Sequence, residues 1–436
     1  MNLDPKISLS KYSVTPKLLR SGITETVTVK PLGNGLKFDD TKEYTVTFVP
    51  MEIYDDTYIE RPVEFDSVRV RSVDGVITVS YAFEGEQEWV ISVITDEDRE
   101  NKKKPKEFHV YSLLDDLYTK NPYKGDLHSH STSSDGTEDP VVVAANYRKE
   151  GFDFFALTDH HKWEPSDYLI KAYSDVPTGL KMFHGEEVHL KGDIHIVNFG
   201  SEYSINSLYR NSSEQIHKAL LEESKTLKTP KGVNALEYCY RKWIHEEISK
   251  AGGLTIVPHP YWIHAPGIYN MNTKMLEYVF RNGAFHAFEL IGGQTVHENN
   301  VQTSHWQELR AEGLNIPIVG SSDSHGTDKA NYFGIGKTVV FSEDLELKSV
   351  KNAILDGFSV AIEQAYGEEY RVYGSYRLVK YTRFLLTEYF PGHDELCIEE
   401  GRLMREYALG DADAGEALRI LDGRTDKYRE RVLRGK

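Results

Sequence analysis

The sequence predicts an α/β protein: a closed β/α barrel preceded by an antiparallel β-sandwich and followed by a helical extension. Three observations predict it. Residues 1–120 carry short runs rich in Val, Ile, Thr and Tyr, separated by turn-forming or charged segments, as strands of a sandwich do. From 121 to about 365, short apolar runs alternate with helix-length segments, the rhythm of parallel strands with crossover helices. From 366 to 436 the pattern is helical. A chain of 436 residues is too long for one ordinary core, so these three stretches are read as separate domains.

The first stretch supplies "EYTVTFVPMEI" (43–53), "SVRVRSV" (67–73), "GVITVSYAF" (75–83) and "EWVISVIT" (88–95) as strands. The charged run 96–107, "DEDRENKKKPKE", reads as a solvated hairpin tip, because its four lysines are offset by acids. The domain is expected to be a packing partner or a wall of the active site, with sugar binding at its one tryptophan, Trp89, as the alternative.

In the second stretch, "DPVVVAANYRKEG" (139–151) has Asp139 at an N-cap position, Pro140 at the first helical position and Gly151 as a stop. The runs "DFFALTDHH", "KMFHGEEVH", "DIHIVNFG", "GLTIVPHP", "AFHAFELIGG" and "IPIVGSSDSH" follow, with helical segments at 232–251, 273–282 and 299–312 between several of them. About 240 residues of this pattern match a closed barrel in size. An open doubly wound sheet is disfavoured because no GxGxxG loop is present. The Tyr, Leu and Phe stripe of the tail is expected to pack against the barrel.

Composition narrows the function. A formal net charge of −17 argues against a broad nucleic-acid footprint. No apolar run approaches the roughly 18 residues of a membrane helix, and the start "MNLDPKISLSKYSV" has no signal-peptide pattern. Cys239 and Cys397 are the only cysteines, which excludes a disulfide scaffold and a thiolate zinc site. A cytoplasmic location is the expectation.

"YKGDLHSHSTSSDG" (123–136) brings His128, His130 and Asp135 together, a weak motif taken alone. Its context is stronger. His160, Glu187, His195, His259, Asp323 and His325 lie in or at the ends of the apolar runs. In a parallel barrel the C-terminal strand ends open on one face, so these nine residues converge on one pocket. Carboxylates gathered there would repel one another, and divalent cations relieve that repulsion. With no thiolate, the set suits Zn, Mn or Fe, and its size suits two or three ions. Two metals roughly 3.5–4 Å apart can hold a bridging hydroxide and polarise the oxygen of a scissile ester. His161, His184, His189 and His264 are expected around this set or facing substrate, and Asp159 is expected to orient a histidine ligand.

"GDLHSHSTSSDG", "ALTDHH", "HGEEVH", "HIVNFG", "IVPHP" and "GSSDSHG", in this order over residues 124 to about 340, resemble the PHP (polymerase and histidinol phosphatase) superfamily. The preceding β domain and "YKGDLHSHS" are similar to its carbaryl-hydrolase-like branch. The resemblance implies a distorted (β/α)7 TIM-like barrel with up to three metals. It implies one metal on His128, His130, Glu187 and Asp323, with Glu187 bridging to a second on His195 and His259. A third would sit on Asp135, His160 and His325. The family's Gly-x-Glu spacing from Gly185 favours Glu187 over Glu186, and the family pattern likewise favours His195 over His189.

The function expected is metal-dependent hydrolysis of a small anionic substrate, first of all a phosphoester, with Asp323 as the proton shuttle that the resemblance implies. Phosphate recognition favours arginine, yet Arg148, Arg210, Arg241, Arg281 and Arg310 fall mostly in predicted outer helices, with Lys162 and Lys191 nearer the strand ends. Hydrolysis of a carboxylic ester, carbamate or amide at the same metals is therefore the second expectation. A catalytically inactive binding module is the third, and it sits poorly with a ligand set that has lost no member.

Overall fold

The computed structural model describes residues 11–53, 63–190, 194–264, 267–328 and 332–436; Lys191 lies outside them. The protein is mixed α/β and divides into two compact units. The first comprises residues 1–120, 379–396 and 423–436, and the second 121–378 and 397–422.

The first unit holds two sheets. Tyr12–Thr15, Thr24–Pro31 and Ile77–Ala82 form one antiparallel sheet. The other runs in the order Leu18–Arg20, Lys106–Leu113, Gln87–Thr95, Glu43–Pro50, Ser67–Arg71. It is antiparallel except for the Leu18–Arg20 pairing. Burial alternates along Gln87–Thr95, as a strand with one covered face requires. Val27, Val79, Phe48, Ile91 and Val110, drawn from both sheets, share one core. Trp89 belongs to that core: it is buried beside Tyr81 and Phe83, and its indole N–H donates to Ser112 Oγ at 3.0 Å. It therefore presents no open face to a sugar. The charged run after residue 95 begins with a short helix, Asp96–Glu100, capped by Thr95, and stands mostly exposed between two paired strands.

The second unit also holds two sheets. One has the order Lys181–Phe183, Phe154–Ala156, Asn121–Asp126, Gly336–Ser342, Ser359–Glu363, Arg371–Tyr373. The other has the order Gly185–Leu190, Ile194–Phe199, Leu254–Val257, Ala287–Ile291, Ile318–Gly320. A single residue, His184, separates strands that belong to different sheets. Leu127, Phe154, Val197, Ile256, Val319 and Val340 share one core, so the two sheets enclose common apolar interior. Gly125 is required there: a Cβ would come within 2.1 Å of the Phe154 ring.

These sheets are not purely parallel, as strand–helix alternation had suggested. The pairs joining 121–126, 154–156 and 181–183 are parallel, as are those joining 254–257, 287–291 and 318–320. Gly185–Leu190 and Ile194–Phe199 are antiparallel. Only three residues separate them, too few for the crossover of a dozen or more that a parallel pair needs. Gly336–Ser342 is antiparallel to both its neighbours.

Helices begin where their caps direct. Pro140–Lys149 starts behind Asp139, whose carboxylate accepts from Val141 N, and Val296–Ala311 starts with a Thr295/Glu298 capping box. The helices expected as one C-terminal extension are shared between the units. In the first, Tyr381 and Phe384 lie against Tyr111. In the second, Leu403 and Met404 pack with Val141 and Ala144, and the buried Arg148 donates to Glu400 at 2.9 Å. The stripe is thus buried in two cores, because successive helices turn their apolar faces to different neighbours. No described helix is long and apolar enough to cross a membrane.

Candidate metal centre

Three loops at strand ends and the strand Gly185–Leu190 bring the site together, and their backbones are laced to one another. His130 N donates to Ser324 O (2.8 Å), Asp323 N to His128 O (3.0 Å), Thr158 N to Ser129 O (2.8 Å) and Glu187 N to Thr158 O (3.0 Å). The lacing carries sheet-like pairing past the strand ends, so that side chains far apart in sequence share one position. Two cluster residues hold strained left-handed backbone, His259 (φ 26°) and Asp323 (φ 47°), a strain that the surrounding hydrogen bonds must over-determine.

Glu187 stands at the centre, fully buried. Its Oε2 is 3.3 Å from His128 Nε2, 3.5 Å from His130 Nε2 and 2.8 Å from His160 Nδ1. Its Oε1 is 2.8 Å from His195 Nδ1, 3.4 Å from His259 Nε2 and 3.6 Å from His189 Nε2. Asp323 Oδ1 faces His130 Nε2 (2.9 Å) and His128 Nε2 (3.2 Å). Asp135 Oδ2 faces His160 Nε2 (3.4 Å) and His325 Nε2 (3.3 Å). All nine residues singled out from the sequence therefore gather in one place.

Candidate ligand atoms fall into sets whose members lie within 4.8 Å of one another: His128, His130, Glu187 and Asp323; Glu187, His195 and His259; His130, Asp135, His160 and His325. Several of these atoms, namely His128 Nε2, His130 Nδ1, His160 Nδ1 and Glu187 Oε2, are buried without a hydrogen-bond partner. Buried polar atoms are normally satisfied. A group of imidazole nitrogens and carboxylate oxygens turned on one another and left unsatisfied is what a divalent cation fits. The electrostatics agree. Burial would raise the Glu187 carboxyl, yet His195, His128 and His160 hold it well below the usual range. Burial would likewise lower His160, but Asp135 and Glu187 push it up to about 10. Metal binding displaces protons from such ligands, so a cation would take the place of the charge that these imidazoles attract.

Other expectations change. Asp159 orients no histidine among its described contacts. Its carboxylate accepts from Ser131 N (2.8 Å), Ser131 Oγ (2.7 Å) and Ser134 Oγ (2.5 Å), so it shapes the loop that carries Asp135. The orienting part falls to Glu289, which the sequence reading passed over. Glu289 is fully buried; its Oε2 lies 2.9 Å from His128 Nδ1, and its Oε1 accepts from His259 N at 3.3 Å. A carboxylate only accepts, so Nδ1 carries the proton and Nε2 is left to face the cluster. Its one signal was an acid inside the apolar run "AFELIGG". Asp126 was also passed over; it accepts from His128 N, Ser322 N and Tyr147 OH beneath the site.

Glu186 points to the other face of its strand, as alternation requires, and is taken by Asn198, Ser204, Ile205 and Asn206. His184 stacks on Trp163 with ring centroids 4.4 Å apart, and His264 neighbours Trp262, whose ring in turn lies 5.7 Å from His259. His161 sits 4.8 Å from the His189 ring, and its carbonyl accepts from Arg210.

No protein-family model and no curated protein matches the sequence. Among solved structures, the chain is similar to a two-domain Bacteroides vulgatus protein containing a predicted PHP-like metal-dependent phosphoesterase. The identity is 16%, the TM-score 0.40, and 56% of this chain and 65% of that one are covered. This chain thus spans just under two thirds of that protein's length. A Bifidobacterium adolescentis protein given the same kind of predicted metal-dependent phosphoesterase activity matches at 18% identity and TM-score 0.35, over 48% of this chain and 90% of that one. An amidohydrolase from Chromobacterium violaceum with bound sulfate and no metal matches at 18% identity and TM-score 0.32, over 56% and 99%. At these scores it is the cluster geometry that bears on function. The motifs of the chain resemble the PHP superfamily, and one of these similar structures contains a predicted PHP-like metal-dependent phosphoesterase.

Proposed function

We propose that the protein is a metal-dependent hydrolase, a phosphoesterase in the first place, acting on a small anionic substrate. We propose with it that the sheets of the second unit are walls of the distorted (β/α)7 barrel that the resemblance implies, and those of the first a β-sandwich. The observation that carries the functional reading is Glu187, one buried carboxylate with three imidazoles at each oxygen. His128, His130, Glu187 and Asp323 would hold one divalent ion, Glu187 with His195 and His259 a second, and Asp135, His160 and His325 a third. Such ions, Mn, Zn or Fe, would polarise the scissile bond and activate water at neutral pH.

The chain's own residues then have distinct tasks. Glu289 fixes the ring of His128 through Nδ1. Asp323 Oδ1 is engaged by His130 and His128, whereas the charged partner of Oδ2 among the described residues is His259 Nε2, at 4.0 Å. Oδ2 would take the proton of the attacking water and return it to the leaving group. Trp262 and His264 border the His195 and His259 side with flat aromatic surface.

One observation keeps hydrolysis of a carboxylic ester, carbamate or amide as the second reading. Arg148 and Arg241 are buried with Glu400 and Glu237, Arg281 pairs with Glu312, and Arg310 lies over Trp306. Of the arginines singled out in the sequence, Arg210 contacts a residue beside the cluster, the carbonyl of His161. The test is turnover of a phosphate ester against a carboxylate ester and a carbamate by Mn-loaded protein, with Asp323→Asn beside it. Phosphate release lost in the variant supports the first reading. Turnover of the carbon esters alone transfers the assignment to the second, and turnover of none by metal-loaded protein removes both.

A further inference from the structure

His189 was expected only at the margin of the site, and its position in the fold is different. Gly185–Leu190 and Ile194–Phe199 pair antiparallel in a register that sets His189 directly opposite His195. Strand alternation puts residues i and i+2 on one face, so Glu187 and His189 look the same way while Glu186 and Val188 look the other. The side chains follow that alternation. His189 Nε2 is 3.6 Å from Glu187 Oε1, and its ring centroid is 3.7 Å from that of His195 and 4.3 Å from that of His160. Nε2 is buried and has no hydrogen-bond partner. The strand is pinned at this residue, because His189 N donates to Asn206 Oδ1 at 3.2 Å. Candidate ligand atoms of His160, Glu187 and His189 lie within 4.8 Å of one another, as do those of Glu187, His195 and His259, so that Glu187 is the member the two sets share.

We propose that His189 is a metal ligand of this centre, supplying a third imidazole to the ion on the Oε1 side of Glu187. That side then offers His189, His195, His259 and one carboxylate oxygen, where the resemblance implies only two imidazoles. The inference rests on the metal-dependent reading above. Three nitrogens and one oxygen without thiolate make a four-ligand set suited to zinc, or to cobalt as its spectroscopic substitute. Mg and Mn favour oxygen-rich octahedral sites. This half of the centre should therefore discriminate against Mg and Mn more sharply than a two-imidazole site would.

The experiment is metal binding by the chelated full-length chain. Zn is followed by equilibrium dialysis, Co(II) by its visible d–d bands, and the zinc-loaded protein by X-ray absorption for its imidazole count. Wild type is compared with His189→Asn and His189→Gln, and far-UV circular dichroism and melting of the metal-free forms report whether each variant folds. Ligation predicts that both variants lose affinity for one equivalent of zinc by at least the roughly 10–100-fold that removal of an outer-shell partner costs. It also predicts an altered Co(II) spectrum and a lower mean imidazole count. Folded variants with wild-type affinity, spectrum and count overturn the ligand role while leaving the hydrolase reading intact. Absence of zinc and cobalt binding by wild type removes both. If one variant fails to fold, the other decides between these outcomes; if both fail, the imidazole count of wild type decides, since an Oε1-side ion carrying only two imidazoles rejects the proposal.

Discussion

The cluster has a dry half and a wet half. His128, His130 and Glu187 have no exposed side-chain surface, and His259 has 3%. Across the same pocket the side chain of Asp135 is 53% exposed and that of His325 33%. The residue types are the same; the surroundings differ. In the dry half an unpaired charge has no water to fall back on, so ligand geometry must be fixed by protein, and Glu289 and Asp126 are there to fix it. On the proposed reading, water would compete for an ion in the wet half and substrate would reach it there. The dry half would then keep its metal and the wet half exchange it.

The sharpest way to break that contrast is at Glu187, which touches both. Glu187→Ala is expected to strip metal from the dry sets and to reduce hydrolysis by more than about 10²-fold, on the scale of losing a main electrostatic stabiliser. Metal analysis together with kcat checks it, and full metal content in a folded variant would end the bridging role. Glu289→Ala should come next, weakening metal binding by about 10–100-fold. It also leaves the His128 Nδ1–H unpaired, at about 1–3 kcal/mol. Glu289→Gln, which keeps an acceptor oxygen, should lose less in both dialysis and denaturant titration. Equal losses in Ala and Gln would argue for charge rather than orientation.

Asp135→Asn sharpens the comparison from the wet side. Metal content is expected to fall by one equivalent while the tightly held ions stay, and a fall in every equivalent would mean that the two halves are not independent. The smallest effect should come from Ser134→Ala, which removes one hydroxyl from the Asp159 tether of the Asp135 loop. About 1 kcal/mol of stability is at stake, with the dry sets unaffected. Denaturant titration and metal counting on the same samples would detect the opposite pattern.

The chemistry of the site was legible in the sequence because it depends on residue type at strand ends. "ALTDHH", "IVPHP" and "GSSDSHG" each follow an apolar run, and strand ends of a wound α/β fold share a face. Helix starts were legible for a similar local reason: the Asp139-Pro140 signal lies within a few residues of what it caps.

Tertiary structure alone decided which atom meets which. His189 and His195 are equivalent in composition and become cross-strand partners only through the register of an antiparallel hairpin, since a slip of one residue would turn either to the opposite face. Asp159, just past a strand end, and Glu289, inside a strand, are both acids of the apolar runs, yet one binds a serine loop and the other a histidine ring. The same holds for the tail, whose apolar stripe says that it is buried but not in which core. Residue type and spacing set the chemistry available along the chain. Contacts between distant segments, which carry no local signal, set where that chemistry converges and which nitrogen and oxygen atoms are left facing one another.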